Sequence, residues 1–218
     1  KMNKICILGS DGISGGVTNY IINLINFSNK LNKYYIFGKN FKIYKKGIKK
    51  KFSFINFNIN YSFLSIFTSL ILLKNLIEKN KIKIVHAHTQ RAAFLICLIK
   101  LFLIKKIKIV YTPHGFRHSQ LKSPKKFFHL LIEKFILKKI DHVILITKKE
   151  NFFLDSLKLL NIKKTIIKTS IPKVKFKKSI SLRNQFNIES KKKIIVMCGS
   201  VQKIKQPKLF LEIAEKIN

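Results

Sequence analysis

Apolar residues alternate along the chain between the spacing of strands and the spacing of helices. Short apolar runs predict strands at Lys4–Leu8, Tyr34–Phe37, Lys83–Ala87, Ile107–Thr112, His142–Ile146, Thr165–Lys168 and Ile194–Cys198, with one or two more in Phe41–Asn60. Helical spacing predicts helices at Gly16–Leu31, Ser62–Asn80, Arg91–Ile104, Pro124–Lys139, Lys149–Leu160 and from Pro207. This alternation predicts βαβ units, and hence a doubly wound, mainly parallel sheet with helices on both faces.

The alternation is interrupted once, by a polar and lysine-rich segment between Ile171 and Ile188. We interpret residues 173–190 as a linker between an N-terminal α/β domain, residues 1–172, and the start of a second domain, residues 191–218. One predicted strand and one predicted helix after the linker are too little for a stable α/β domain. We therefore expect this sequence to be part of a longer one, with an incomplete second domain.

Ligands of parallel sheets bind beyond the carboxyl ends of the strands, and histidines occupy two of those ends. His86 and His88 alternate onto one face of a predicted strand. His114 follows the next strand, between a proline and a glycine, where it could donate to a sugar hydroxyl or exchange a proton near neutral pH. The alternative is a buried structural role, which we favour for His86. No carboxylate or cysteine lies nearby in sequence to complete a metal site.

Two glycine turns precede predicted helices. The first, Gly9–Gly16, would let backbone amides approach an anion at a helix N-terminus, although a tight strand-to-helix turn explains it equally well. It lacks the G-x-G-x-x-G spacing of dinucleotide-binding proteins. The second turn contains Gly199 and is followed by Lys205, just before the helix that begins at Pro207. A lysine beside helix-terminal amides suits a diphosphate.

The formal net charge of +36 does not by itself indicate a nucleic-acid-binding protein. Only three of the 45 basic residues are arginine, at Arg91, Arg117 and Arg183, and isoleucine, asparagine and phenylalanine are also abundant. This composition is typical of AT-rich coding, with lysines spread over a solvated surface. A specific nucleic-acid binder would favour arginine, so we expect no specific nucleic-acid partner. Attraction to anionic lipid head groups remains expected.

The three cysteines lie in apolar runs and are predicted to be buried, which suits a reducing cytoplasm. Residues Lys1–Ser10 have no signal-peptide layout. Phe52–Leu73 is uncharged, but it divides into a strand pattern and a helix pattern, each shorter than the ~20 apolar residues of a spanning helix. We expect a cytoplasmic protein, with peripheral attachment to the inner face of the plasma membrane as a further expectation.

Several of these segments together resemble glycosyltransferases of family 4. The segments are Gly15-Gly16-Val17, Val85–His88, Val110–Phe116, Ile140–Ile144 with Thr147 and Glu150, and Gly199–Pro207. The resemblance implies a GT-B fold of two Rossmann-like domains, the second incomplete here. It also implies retaining transfer of a sugar from a nucleotide diphosphate sugar to a lipid-linked or saccharide acceptor in cell-surface polysaccharide synthesis. No cofactor or metal is implied.

By the same resemblance, His114 is the catalytic residue that contacts the transferred sugar. Substrate and donor contacts would come from Gly15, Gly16, His88, Ser200 and Lys205. Ser200 stands where family members often carry arginine, and Thr169-Ser170 stands where they commonly carry Asn-Gly. The acidic pair of the donor domain is not reached, so we expect this stretch alone to be inactive. The alternative is a non-catalytic module that binds a sugar nucleotide or an anionic membrane.

Overall fold

The computed structural model describes residues 3–9, 15–57, 63–103, 106–116, 122–159, 162–169, 181–199, 201 and 205–217, without the side chains of residues 63–65. Its contacts divide the chain into two compact units, Lys1–Pro172 and Lys173–Asn218. The sequence analysis interprets residues 173–190 as a linker and residues 191–218 as the start of a second domain. Both interpretations stay predictions.

The described part of the first unit contains one sheet of seven parallel strands. The strands are β1 Lys4–Leu8, β2 Lys33–Gly38, β3 Phe52–Asn56, β4 Ile84–His88, β5 Lys108–Thr112, β6 His142–Leu145 and β7 Lys164–Ile166, in the order β3-β2-β1-β4-β5-β6-β7. The connecting helices are α1 Gly16–Phe27, α2 Phe41–Gly47, α3 Phe63–Lys79, α4 Gln90–Ile99, α5 Lys125–Lys139 and α6 Lys148–Ser156. The predicted Rossmann-like parallel sheet is confirmed.

Helices cover both faces of the sheet because successive strand side chains point to opposite sides. In β1, Cys6 and Leu8 are buried in a core with residues of α3, α4 and α5. Ile7, which lies between them, is buried in a second core with residues of α1 and α2. This doubly wound arrangement places the carboxyl ends of all seven strands at one edge, where ligands of such sheets bind.

In the segment predicted to hold one or two strands, Phe41–Asn60, the described residues 41–57 contain one strand, β3, and also a helix that the sequence pattern did not predict. Helix α2 is seven residues long, and Tyr44 is its one buried side chain. A single buried position gives no periodicity, so an amphipathic pattern could not reveal this helix.

The second unit contains two described helices, α7 Leu182–Gln185 and α8 Pro207–Ile217. The predicted strand Ile194–Cys198 is wrong, since these residues form no strand. Ile195 and Val196 are 55% and 64% exposed. A strand needs a hydrogen-bonded neighbour and a covered face, and the described part of this unit supplies neither.

Cysteine burial follows the prediction at two positions out of three. Cys6 and Cys97 are buried, and burial raises the pKa of both thiols. Cys198 is exposed, so its predicted burial is wrong, for the same reason that its predicted strand does not form. Among the described residues, no helix has both the length and the apolar character that a membrane span requires.

Candidate active site

Three histidines and a tyrosine form a cluster at the carboxyl edge of the sheet. His86 and His88 project from the end of β4, with ring centroids 4.0 Å apart. Nδ1 of His88 lies 3.1 Å from Nε2 of His114, which follows β5. The ring of Tyr20, in α1, lies 5.6 Å from that of His88 and 4.9 Å from that of His114. The neighbouring strand ends and α1 thus bring these four rings together.

The turn that carries His114 has an unusual backbone. His114 has a φ of 54° and Gly115 a φ of 93°, both in the left-handed region. A residue with a side chain adopts this region at a cost of about 1–3 kcal/mol, so surrounding contacts must hold it there. At Gly115 the backbone angle selects glycine, since an added Cβ would meet nothing within 4 Å.

The Glu150 carboxylate supplies the contact that holds this turn. Its Oε1 accepts a hydrogen bond from the Gly115 amide at 2.6 Å. Its Oε2 accepts from the amides of Ile146 at 2.7 Å and Thr147 at 3.3 Å, at the start of α6. The side-chain hydroxyl of Thr147 completes a capping box by accepting from the Glu150 amide. Glu150 therefore ties the His114 turn to the first turn of α6.

The three histidines are uncharged at neutral pH. Burial lowers the pKa of His86 to about 3, with a smaller contribution from the charge of His114. Burial also lowers the pKa of His114 from 6.5 to about 4. The pKa of His88 lies well below its ordinary value because of burial and of the neighbouring charges of His86 and His114. In the free protein, His114 is therefore suited to hydrogen bonding through a neutral ring, rather than to proton exchange near pH 7.

Hydrogen bonding also selects the tautomers. Nε2 of His88 is buried and has no hydrogen-bond partner among the described residues. A proton on that atom would be an orphaned buried donor, which proteins rarely tolerate. A proton on Nδ1 of His88 instead donates to Nε2 of His114 across the 3.1 Å contact. His114 then carries its own proton on Nδ1 and presents an N–H donor.

A second polar network lies beside this cluster and was not predicted from the sequence. Gln90, the first residue of α4, donates through Nε2 to Glu133 Oε2 at 2.7 Å and to the carbonyl of His129 at 2.8 Å. Nδ1 of His129 donates to Gln90 Oε1 at 2.6 Å. Glu133 is fully buried, and burial raises its pKa to about 7. Hydrogen bonds from Tyr111 and Gln90 act in the opposite direction and lower this pKa, but by less. The network fixes α4, which begins two residues after His88, to α5.

One sequence feature could have revealed Glu133. It lies three and four residues before Ile136 and Leu137, which are the other buried residues of α5. An acidic residue on the apolar stripe of a helix must find buried partners, and here Gln90 and Tyr111 provide them. Tyr20 lies in the segment Gly16–Leu31, for which the sequence predicted a helix and no contribution to the site.

A groove of about 500 Å³ runs from the cluster along α1. Its lining combines amides with apolar and aromatic groups, namely Gly16, Asn19, Tyr20, Asn23, Leu24, Phe27, Ser28 and residues 167–169. Asparagine amides and aromatic rings are groups that bind sugars through hydrogen bonds and stacking. Tyr20 lines this groove and also contacts the ring of His114.

The remaining predicted site residues lie in different parts of the chain. Gly16 is the first residue of α1, and Gly15 precedes it with an extended backbone, so both share the sheet edge with His88 and His114. In the second unit, Lys205 is exposed, and its side chain passes 3.9 Å from where a Cβ on Gly199 would lie. Ser200 lies outside the described residues.

These features define a Rossmann-like domain whose candidate ligand site lies at the carboxyl edge of a parallel sheet. Residues 14–157 match the model of Glycosyltransferase Family 4. The chain belongs to that family.

Individual proteins are similar to this chain in sequence or in fold. The chain is 33% identical over 149 residues to an uncharacterized 41.2 kDa protein in the cps region of Klebsiella pneumoniae, covering 66% of this chain and 39% of that protein. A glycosyltransferase from Rickettsia africae ESF-5 superposes with a TM-score of 0.62 at 20% identity, covering 78% of this chain and 43% of the other. Anabaena Alr3699/HepE, in complex with UDP and glucose, gives 0.56 at 12% identity, with coverages of 78% and 45%. The chain therefore spans less than half the length of these relatives.

Proposed function

We propose that the protein of which this chain is part is a retaining glycosyltransferase. It transfers a sugar from a nucleotide diphosphate sugar to a lipid-linked or saccharide acceptor in cell-surface polysaccharide synthesis. In the reaction, the bond between the sugar C1 and the diphosphate oxygen breaks and a bond from the acceptor oxygen to C1 forms. The proton of the acceptor hydroxyl leaves with the nucleoside diphosphate, and no metal is required.

The observation that carries this proposal is the geometry at His114. A neutral ring is held on a left-handed turn at the ligand edge, and its Nδ1–H is directed away from the His88 contact. A sugar hydroxyl is a fitting acceptor for that donor. As the bond to the diphosphate breaks, C1 gains positive charge and the diphosphate oxygen gains negative charge. A hydrogen bond from His114 to a sugar hydroxyl that strengthens in this state raises turnover more than it tightens binding of the sugar nucleotide.

Groups suited to the diphosphate of the donor occur in each of the two units. The amides at the start of α1, after Gly15, offer anion-binding groups, and in the second unit Lys205 offers a positive charge and Ser200 a hydroxyl group. His88 supports this site through His114. A uridine or related nucleotide is supported by the HepE structure, which contains UDP and glucose.

The acceptor is proposed to occupy the groove along α1. Its asparagines supply hydrogen bonds to hydroxyl groups, and Phe27, which is 76% exposed, supplies a surface for stacking. A polysaccharide acceptor is supported by the relative in the cps region of Klebsiella pneumoniae.

Substitutions in the full-length protein test this proposal. We expect His114→Ala to lower turnover by on the order of 10²–10³, because a preorganised transition-state contact is lost. Lys205→Ala is expected to act mainly on the KM for the donor, because the diphosphate is charged before reaction as well as during it. The matched control is His142→Ala, since His142 lies at the start of β6, on the opposite edge, and pairs with Thr165.

Two results would overturn the proposal. Near-normal turnover of the His114→Ala protein, together with a much lower melting temperature, would assign that histidine a structural role. Binding of nucleotide sugars by the full-length protein without transfer to any lipid-linked or saccharide acceptor would favour the non-catalytic binding module.

We also expect the rate of transfer to stay unchanged in the presence of a metal chelator. Loss of turnover in the chelator would contradict the metal-free reaction.

Peripheral attachment to the cytoplasmic face of the membrane is also part of the proposal. A net charge of +36 supports adsorption to anionic lipid, and this adsorption should weaken as salt is added. A membrane surface is where a lipid-linked acceptor is found.

A further inference from the structure

A second cavity in the first unit lies at the amino ends of the strands, opposite to the candidate active site. Its volume is about 570 Å³, and its lining comes from the end of α3 and from residues at or just before the starts of β1, β4 and β5. A strand of five residues, such as β4, spans roughly 16 Å. The cavity is therefore a separate site from the cluster of His88 and His114. We call it the amino-edge cavity.

Lysines dominate the polar lining of the amino-edge cavity. Four of the nine lining residues are lysines, namely Lys81, Lys83, Lys106 and Lys108. All four are exposed, and the three ion pairs found among the described residues include none of them. By contrast, a single lysine, Lys168, lines the groove along α1. Four like charges around one cavity repel each other, and a ligand with several negative charges relieves that repulsion.

The backbone brings two of these lysines to neighbouring positions and leaves a third free to bind a ligand. The Lys108 amide donates to the carbonyl of Lys83 at 2.8 Å, where β4 and β5 begin side by side. Lys81 follows α3 with a φ of 54°, and its amide donates to the carbonyl of Glu78 at 3.1 Å. Since a backbone amide caps this helix end, the lysine ammonium groups are not needed there.

A buried carboxylate oxygen lies among the lysines. Glu78 lines the cavity, and its Oε1 is buried without a hydrogen-bond partner among the described residues. An unpaired buried acceptor is costly, and a hydroxyl group of a ligand would satisfy it. Asn3, just before β1, adds an amide group that both donates and accepts. A ligand that is only anionic would be repelled by Glu78, whereas a ligand with hydroxyl groups as well as phosphate would use both kinds of group.

The size and the apolar part of the lining favour a small molecule. Small-molecule sites have volumes of roughly 300–1,000 Å³, and this cavity falls in that range. Ile77, Ile82 and Ile84 give it an apolar wall against which a sugar ring can pack. The lining contains no aromatic side chain on which a nucleic-acid base could stack, so an RNA or DNA strand fits it less well.

We propose that the amino-edge cavity binds a sugar phosphate, with the phosphate on the lysines and a sugar hydroxyl group donating to Oε1 of Glu78. The inference goes beyond the proposed transfer reaction and does not rest on it. A ligand bound here, at the edge opposite to His114, leaves the candidate active site open to its own substrates.

Calorimetric titration of the full-length protein with fructose 1,6-bisphosphate tests the contribution of the lysines. Lys83→Gln with Lys108→Gln should weaken binding about tenfold at low salt, because two charges that face the phosphate are lost. The control pair Lys148→Gln with Lys149→Gln makes the same charge change in the exposed first turn of α6, at the carboxyl edge. It should weaken binding less than about twofold.

Replacement of Glu78 by Met tests the hydroxyl contact, because it changes the binding of two anions in opposite directions. Sulfate has no hydrogen-bond donor, so the loss of a negative charge should strengthen its binding about fivefold. Fructose 1,6-bisphosphate also loses an acceptor for its hydroxyl group, so its binding should weaken at least about threefold. The control Glu212→Met removes an exposed carboxylate from α8 and should change neither affinity.

The same titrations can overturn the proposal. Stronger binding of both anions to the Glu78→Met protein would show that Glu78 only offsets the lysine charges and contacts no sugar hydroxyl. Equal losses in the two lysine pairs, or a larger loss in the pair at the carboxyl edge, would place the bisphosphate outside the amino-edge cavity. An oligonucleotide that bound more tightly than the bisphosphate and was lost with Lys83 and Lys108 would assign these lysines to nucleic acid instead. Because no readout involves glycosyl transfer, the proposed enzymatic activity is tested separately.

Discussion

At the scale of the residue, the chemistry of the site depends on which nitrogen of each histidine carries the proton. Nε2 of His88 is buried with no hydrogen-bond partner in the described part of the chain, which favours a proton on Nδ1. The 3.1 Å contact from Nδ1 of His88 to Nε2 of His114 then places the proton of His114 on its Nδ1. The N–H of His114 that a sugar would meet is thus determined by an atom on a neighbouring strand. His88 is on this view a positioning residue for His114.

Nuclear magnetic resonance of the chain labelled with ¹⁵N-histidine measures these protons directly. We expect His114 to be neutral and protonated on Nδ1 at pH 7, and His88 to be protonated on Nδ1. Replacing His88 by Ala should leave His114 as a mixture of both tautomers, because the acceptor requirement at its Nε2 is lost. A proton on Nε2 of His114 in the unaltered protein would reverse the direction of the hydrogen bond and contradict this assignment. His142, at the other edge of the sheet, serves as the internal control.

The sequence predicted part of this cluster and missed the rest for a definite reason. His88 and His114 both follow strands, and strand alternation together with sheet topology is enough to place such residues at one edge. Tyr20, Gln90 and Glu133 are contacts between elements. They depend on how helices pack on the sheet, which the spacing of residues along one element does not specify.

At the scale of the element, the start of α6 and the turn after β5 are one unit joined by Glu150. The Glu150 carboxylate accepts hydrogen bonds from the amide of Ile146, beside the start of α6, and from the amide of Gly115, in the turn after β5. It therefore stabilises the cap of the helix and the left-handed turn of His114 together. The family resemblance included Thr147 and Glu150, but the sequence analysis predicted neither their capping box nor the link of Glu150 to Gly115 across 35 residues.

Glu150→Gln is the substitution that separates these two functions. A glutamine side chain has one oxygen, so it can accept hydrogen bonds either from the Gly115 amide or from the amides of Ile146 and Thr147, but not from both. Its NH₂ group then faces the remaining amide donors. We expect a loss of about 1–3 kcal/mol in the free energy of unfolding, with the His114 turn released and turnover of the full-length protein reduced at least about tenfold. Urea unfolding and initial rates measure the two effects.

Thr147→Ala is the control for that experiment. It removes the hydroxyl of the helix cap and should cost about 1 kcal/mol, while leaving the Gly115 amide on Glu150 and turnover nearly unchanged. If both variants lost turnover in proportion to their stability, Glu150 would act only as a structural cap.

Element prediction succeeded where an element repeats its pattern and failed where it does not. Strands β1, β2, β4, β5 and β6 contain buried apolar residues, and these runs identified them in the sequence. Helix α2 has one buried residue, and the apolar run Ile194–Cys198 has no neighbouring strand among the described residues. A segment with high strand propensity forms a strand only if a neighbouring strand is there to pair with it. The local sequence pattern does not show whether such a neighbour exists.

At the scale of the whole molecule, stability comes from the three apolar clusters found among the described residues rather than from the many charges. The described residues contain three ion pairs, all partly exposed to solvent, and such pairs contribute little. The charge state of a few buried groups matters more, because each of them titrates differently in the folded and the unfolded chain.

The buried groups predict opposite dependences on pH. His86, His88 and His114 have a lowered pKa in the folded protein, so the unfolded chain binds more protons below about 6.5. Their contribution to stability is therefore present above pH 6.5 and is lost as the pH falls toward about 4. Glu133 has a pKa raised from 4.5 to about 7, so it opposes this trend and favours folding as the pH falls through that window.

Three histidines against one carboxyl group predict that the first unit loses stability on acidification from pH 6.5 to 5. Each group contributes up to about 1.4 kcal/mol per pH unit, so the free energy of unfolding should fall with a net slope of roughly two protons. Glu133→Gln keeps the shape of the side chain and removes the opposing titration, so its slope should be steeper than that of the unaltered protein.

Urea unfolding followed by tyrosine fluorescence measures the stability of the first unit selectively, because all six tyrosines precede residue 112 and the chain has no tryptophan. A free energy of unfolding that stays constant or rises between pH 6.5 and 5 would show that the histidines are not held neutral in the fold. An unchanged slope in Glu133→Gln would show that this carboxyl group is already ionised there.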